Sequence, residues 1–202
     1  MSKEIITIQC SGTVNCRSRF YTTRDIVDES RVYRINSGIN KAEGEIDSGI
    51  WSVSYLMSMF DFCQQDIEIF EPRVTLYGKP STFSEICSLS CYLDPMYMMF
   101  STEQTVGELI VSALGSGYSS YKPEDIRDMF SLDSERFARP VIGTGNDLFR
   151  AMAAISFSMG KEIFCFPWMS AVRYELYKES IDSVVKKLEE LGKTIVMPLG
   201  KK

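Results

Sequence analysis

The residue pattern predicts an α/β fold: a core of parallel strands, a small antiparallel β piece near the N-terminus and a helical insertion between about residues 100 and 145. Three features lead there. The last third of the chain alternates helix, strand, helix and strand, an order that pairs its strands in parallel. The first third carries short alternating strands separated by polar turns. Between them a glycine-bearing loop runs directly into an apolar helix.

Glu4 to Gln9 alternates apolar and polar residues as a half-buried strand does, and Arg31 to Ile35 repeats the pattern after a polar turn at Asp28 to Ser30. Asn36 to Gly49 holds three glycines and little apolar content, after which Val53, Leu56, Met57 and Phe60 recur at helical spacing. Arg73 to Tyr77 reads as a strand closed by Gly78-Lys79-Pro80. The apolar run Glu85 to Leu93 that follows reads as extended or buried, with a hairpin between the two. Val106, Leu109, Ile110 and Ala113 mark one helix, stopped by Gly115-Ser116-Gly117, and Pro123 to Phe130 another, with proline and acids in its first turn. Asn146 to Met159 is a helix feeding the strand Ile163 to Phe166. Val184, Val185, Leu188 and Leu191 mark a last helix that stops at Gly192, before the strand Thr194 to Met197.

The 202 residues suit one domain spanning 1–202, with the helical subdomain at about 100–145. A composition 45% apolar and 24% charged is that of an ordinary globular protein. Net charge is -5, which gives no overall pull toward nucleic acid or anionic lipid. No apolar run approaches the roughly 18 residues of a membrane helix, and Met1-Ser2-Lys3-Glu4 leads into a strand rather than a signal peptide, so the expected location is cytoplasmic or peripheral. The six cysteines include no CxxC pair and read as free thiols, with no metal site expected. The chain has no histidine at all, which removes Ser-His-Asp triads, Cys-His pairs and histidine metal ligands together.

Gly44-Glu45-Ile46-Asp47-Ser48-Gly49-Ile50-Trp51, followed by Ser52, has the glycine spacing of a phosphate-binding loop, GxxxxGK[ST], after a strand and directly before a helix. The alternative is a plain glycine turn before a core helix. Other segments, in order, resemble the remaining parts of the ATP-binding cassette of ABC transporters. Val74-Thr75-Leu76-Tyr77-Gly78-Lys79-Pro80 resembles the hairpin after that family's first helix. Tyr92 to Val106, with Phe100 and Thr105-Val106, is similar to the segment from the Q-loop into the helical subdomain. Thr144-Gly145 with Arg150 and Ala154 resembles an eroded LSGGQ signature and its helix. Lys161 to Ala171 resembles the strand, Walker B and D-loop run, and Gly192-Lys193-Thr194-Ile195-Val196 the last strand before the switch histidine. The resemblance spans about residues 31 to 198 and implies a P-loop NTPase fold in which Gly44 to Gly49 crosses from a central strand into a helix.

The departures bear on function. Ile50 stands where the family's lysine reaches the β- and γ-phosphates, and Trp51 where a hydroxyl holds Mg²⁺. Phe166 and Pro167 align with the Walker B aspartate and the catalytic glutamate, the Q-loop glutamine aligns near Pro95, and the switch histidine has no counterpart. Losing even one such group costs about 10²–10³ in rate, so no working ATPase and no catalytic residue is expected. Glu45 and Asp47 lie in the loop with no Lys or Arg between Gly44 and Trp51, so a triphosphate would meet net negative charge, and no ATP or Mg²⁺ cofactor is expected.

The resemblance thus implies a structural or regulatory pseudo-ATPase. Its site would be a vestigial phosphate loop (Gly44, Glu45, Asp47, Ser48, Gly49, Ile50, Trp51 and Ser52) with a vestigial signature (Thr144 and Gly145). In the family two cassettes pair head to tail, so the implied partner is a second copy or a competent cassette, with a membrane permease beyond it. Two other readings stay open: a true ATP-binding transporter subunit with divergent motifs, and a small-molecule or peptide module reusing the pocket. Trp168, at a strand's C-terminal end, is either ligand-facing or packing, and Met96, Met98 and Met99 with Tyr92 and Tyr97 form either an adaptable partner surface or a buried run.

Overall fold

The computed structural model describes residues 3–94, 103–116 and 120–201. Pro95, the methionines Met96, Met98 and Met99, Tyr97, Phe100 and Gly117 lie outside the described residues.

The first strand, β1 (Glu4–Arg17), runs well past Gln9. Its inward residues Ile6, Ile8, Cys10, Val14 and Cys16 are all buried at even spacing with Gly12 in the one gap, and the register against the neighbouring strand shifts between Gln9 and Ser11. Small polar Ser11-Gly12-Thr13 therefore hid the second half. Gly12 is required there, because a side-chain carbon would run into the Glu68 carbonyl across the ladder. One edge of β1 pairs with β3 (Tyr33–Asn36) and then with β2 (Thr22–Val27), and the other with β5 (Ile67–Leu76), from which β6 (Lys79–Ser81) returns as a hairpin. All these pairs are antiparallel. The antiparallel piece is thus a five-stranded sheet rather than a small one.

The second sheet is wholly parallel, in the order β4-β9-β8-β7, with β4 (Ile39–Glu43), β7 (Ser90–Tyr92), β8 (Ile163–Cys165) and β9 (Thr194–Leu199). Strand β4 lies inside the stretch read as a glycine-rich loop. It is the edge of this four-stranded sheet, not a central strand; Ile39, Lys41 and Glu43 are exposed and Asn40 and Ala42 only half-buried, so Ile-Asn-Lys-Ala-Glu carries no apolar signal. The apolar run Glu85 to Leu93 also differs from expectation. Most of it is helix α2 (Phe83–Leu89), nucleated by a capping box in which Thr82 Oγ1 accepts from Glu85 N–H and the Glu85 carboxylate accepts from Thr82 N–H.

Helix α1 (Ile50–Met59) is buried at every position from Trp51 to Met59, because it packs against β1 on one side and β7, β8 and β9 on the other. Ile163, Cys165 and Val196 face this layer. Phe164, Ile195, Met197 and Leu199 face the opposite layer, which holds α3 (Val106–Leu114), α4 (Pro123–Met129), α6 (Leu148–Ser158) and α7 (Ala171–Glu190). The parallel sheet is thus sandwiched, as a period-two pattern with both faces apolar demands. Between α4 and α6 lie the single turn α5 (Ser134–Phe137) and a 3-10 run at Val141–Asp147. The Thr105↔Pro140 bridge and the bond from Val106 N–H to the Arg139 carbonyl tie the start of this helical segment to its end.

Candidate functional site

Strand β4 ends at Glu43, and the chain turns through Gly44 to Gly49 into α1. This turn is fixed by its own residues and by its neighbours. Gly44 N–H donates to the Leu199 carbonyl at 2.9 Å, which locks the start of the loop to the end of β9. Ser48 then closes the loop on itself, its N–H and Oγ both donating to the Glu45 carbonyl at 3.1 and 2.7 Å. Arg31 Nη1 donates to the Ser48 carbonyl at 2.9 Å. Gly49 caps α1 at φ 80°, ψ -9°, the left-handed region, and a side-chain carbon there would collide with the Tyr33 hydroxyl. A side-chain carbon on Gly44 would sit 2.5 Å from Ser48 Oγ, so Ser48 is packed closely against Gly44.

Trp168 is tied to the start of the loop. Its Nε1–H donates to the Gly44 carbonyl at 3.1 Å, the residue is 8% exposed, and Gly200 is packed so close to it that a side-chain carbon would crowd Cζ2. Tyr21 meets this indole edge-on at 4.9 Å, while its hydroxyl hydrogen-bonds Ser170 Oγ at 2.9 Å. Tyr21 belongs to the tip joining β1 to β2, Ser18 to Tyr21. The same tip places Arg19 N–H on Asp94 Oδ2 at 2.9 Å, just beyond β7, and the Tyr92 hydroxyl donates to the Arg17 carbonyl at 3.1 Å. The tip thus reaches across the C-terminal ends of β7 and β8, the edge where open α/β sheets ordinarily seat their ligands. Of the two roles open to Trp168, packing is the one its burial supports.

The first residues of α1 point elsewhere. Ile50 is half-buried. Trp51 is fully buried, and its Nε1–H donates to the Tyr92 hydroxyl at 2.7 Å. Ser52 is committed to the antiparallel sheet, where its Oγ donates to Asp25 Oδ2 at 2.5 Å and lies 3.5 Å from Cys16 Sγ. Burial pushes the Cys16 thiol up to about 12; the Ser52 contact opposes this, while Asp25 and Asp66 add to it. Burial likewise holds the Tyr92 phenol well above its ordinary value, with Asp94 adding to the effect. Glu45 and Asp47 are exposed.

Thr144 and Gly145 lie in the 3-10 run before α6, on the other face of the parallel sheet from α1. Thr144 is buried, its Oγ1 donating to the Val141 carbonyl at 2.6 Å, whereas Gly145 is exposed at φ 61°, ψ -122°. Within this one chain the two glycine-bearing segments face apart. Strand end Phe166 is fully buried against Phe149 at 5.7 Å, and its carbonyl accepts from Ser54 Oγ at 2.9 Å. No group of three or more Cys, Asp or Glu side chains placed to hold a metal ion occurs among the described residues.

The sequence reading missed Arg19, Tyr21, Asp25, Arg31 and Asp94. Only Asp25 left a local signal, as a carboxylate at an inward position of Thr-Thr-Arg-Asp-Ile-Val. The others act through contacts 17 to 149 residues apart in sequence, which no local pattern carries.

No protein-family model matches the chain, and no curated protein matches it. Solved structures do. A protein from Pyrococcus furiosus described as an ABC transporter ATP-binding protein superposes with a TM-score of 0.60 and 11% identity, over 98% of this chain and 92% of that one. CbiO1 from Clostridium perfringens, described as part of the ABC transporter complex cbiONQ, gives 0.58 at 13% identity, over 98% and 79%. A bacterial ABC transporter cassette described as dimeric gives 0.60 at 11%, over 98% and 88%. At such identities the likeness shows the fold: over nearly its whole length the chain is built like the ATP-binding cassettes of ABC transporters.

Proposed function

We propose that this chain uses the cassette fold without hydrolysing ATP and acts as a structural or regulatory protein through contacts with another protein, either a second copy of itself or a competent cassette. One observation carries the reading: the Trp168 indole is bonded to the Gly44 carbonyl, with the Ser18–Tyr21 tip packed beside it over the strand ends. A phosphate loop needs its backbone N–H groups turned to the phosphates, a lysine beyond them and a hydroxyl for Mg²⁺.

The residues present do not fit Mg-ATP. Ile50 opens the helix in place of a cation, Trp51 is enclosed in the core, and the Ser52 hydroxyl is held by Asp25. Phe166 and Pro167, at the exit of β8, are buried and offer no carboxylate to a metal or to water. The acids nearest the phosphate position, Glu45 and Asp47, repel an anion.

Support for the protein partner is by analogy of fold alone, since of the similar structures one is described as a dimer and another as part of a transporter complex. No helix among the described residues is long and apolar enough to cross a membrane, so attachment to a permease on its cytoplasmic side would be peripheral. Phosphate release from Mg-ATP tests the reading. The expected rate is that of buffer alone; turnover above background that disappears in Gly44→Val would instead make the chain a working ATP-binding subunit.

A further inference from the structure

Strand β4 is an open end of the parallel sheet, and its pairing with β9 runs without a break from Ile39 to Glu43. Ile195 N–H donates to the Gly38 carbonyl and Gly44 N–H to the Leu199 carbonyl, both at 2.9 Å, so the even-numbered residues turn their backbone toward β9. Neighbouring residues of a strand point their N–H and C=O groups to opposite sides. Ile39, Lys41 and Glu43 therefore turn theirs to the free side, where no group among the described residues pairs with them. At the other end of the sheet all three residues of β7 are buried, whereas Ile39, Lys41 and Glu43 are exposed. A cavity of about 360 Å³ separates β4 from Tyr33 and Ile35 of β3 and from Ile50 and Val53 of α1, so β3 does not close the free edge.

Open edges invite pairing with another chain, and proteins commonly guard them with a proline, a bulge or a lysine whose charge repels its own kind. Strand β4 has neither proline nor bulge, and the repulsion of Lys41 is offset by Glu43, two residues on and on the same face. Neither side chain takes part in a salt bridge among the described residues. Asp182, an acid whose charge reaches Lys41, is already held by Lys178 Nζ at 2.8 Å and by the Tyr174 hydroxyl at 2.6 Å. Lys41-Ala42-Glu43 is thus its own charge complement in an antiparallel pair. Free-side residues must face each other to exchange backbone hydrogen bonds, two for each facing pair. That parity allows Lys41 opposite the partner's Glu43, once on each side of an axis at Ala42. It also allows Lys41 opposite the partner's Lys41, where like charges meet directly and destabilise the pair. The first register satisfies both backbone and charge.

We propose that two copies of this chain associate edge to edge through β4, antiparallel about an axis at Ala42, with Lys41 of each opposite the partner's Glu43. This names the surface for the second-copy form of the function proposed above, and rests on that form. Analytical ultracentrifugation of the full-length chain without nucleotide is expected to show a reversible monomer–dimer equilibrium between about 10 µM and 1 mM. Lys41→Glu makes both cross-strand pairs repulsive and weakens the dimer about tenfold, as does Glu43→Lys. Lys41→Glu combined with Glu43→Lys restores the opposite charges in this register, but not in the one that sets Lys41 against itself, and returns the dimer to within about threefold of the native affinity. Lys41→Pro removes a free-side N–H that β9 does not use, and abolishes the dimer while the circular-dichroism spectrum is kept. A chain monomeric up to about 1 mM, a dimer unchanged by Lys41→Glu or Lys41→Pro, or a combined variant as weak as the single ones would each overturn the proposal. Mg-ATP turnover by a β4 dimer would sink the non-hydrolysing reading alone; a monomer without turnover would sink this inference alone.

Discussion

Two glycines each precede a helix in this molecule, Gly49 before α1 and Gly145 before α6, and their surroundings differ in kind. Gly49 is buried, backed by Tyr33 and Arg31, in a loop whose Gly44 carbonyl accepts from Trp168, and the helix it caps is buried from Trp51 to Met59. Gly145 is exposed, and the nearest side-chain atom to the position a Cβ would take is Arg136 Nη1 at 3.7 Å. The helix it precedes begins beside a charged, accessible cleft. The same local recipe, positive φ followed by an apolar helix, thus serves structure in one place and leaves an approachable surface in the other. A glycine motif is defined by what surrounds it.

The largest effect that sharpens this contrast is expected from Gly49→Val. Left-handed strain in a β-branched residue adds to the collision with Tyr33, for a loss of about 4 kcal/mol in chemical denaturation. Gly145→Ala meets strain but no collision, and about 2 kcal/mol is expected. Equal losses at the two sites would break the distinction. Ser52→Ala leaves the buried Asp25 carboxylate without its hydroxyl donor, and a loss of about 2 kcal/mol is expected by the same measurement. A neutral outcome there would mean that Ser52 is not committed to the sheet. Trp168→Phe keeps most of the packing and removes only the bond to Gly44, for about 1 kcal/mol.

Much of the architecture was legible because its signals are local. The α1 and α6 stripes, the helix before Gly192 and the parallel β8 and β9 could be read from periodicity and breakers. Strand β4 could not, since its half-buried face carries only Asn40 and Ala42 while Ile39 stands on the exposed one, and α2 was misread because an apolar run of that length fits strand or helix equally. The capping pattern Thr82 to Glu85 was the clue that separates them. At the candidate site the glycine spacing located the loop between strand and helix, but what packs beside it was illegible. Trp168 reaches Gly44 across 124 residues, and Tyr21 reaches Ser170 across 149. Such contacts are set by the packing of two sheets, which no single segment encodes.

The central proposal is that the loop from Gly44 to Gly49 does not bind nucleotide. Calorimetric titration of the full-length chain with Mg-ATP tests it most directly. The account predicts no saturable heat up to millimolar nucleotide; a micromolar dissociation constant would contradict it.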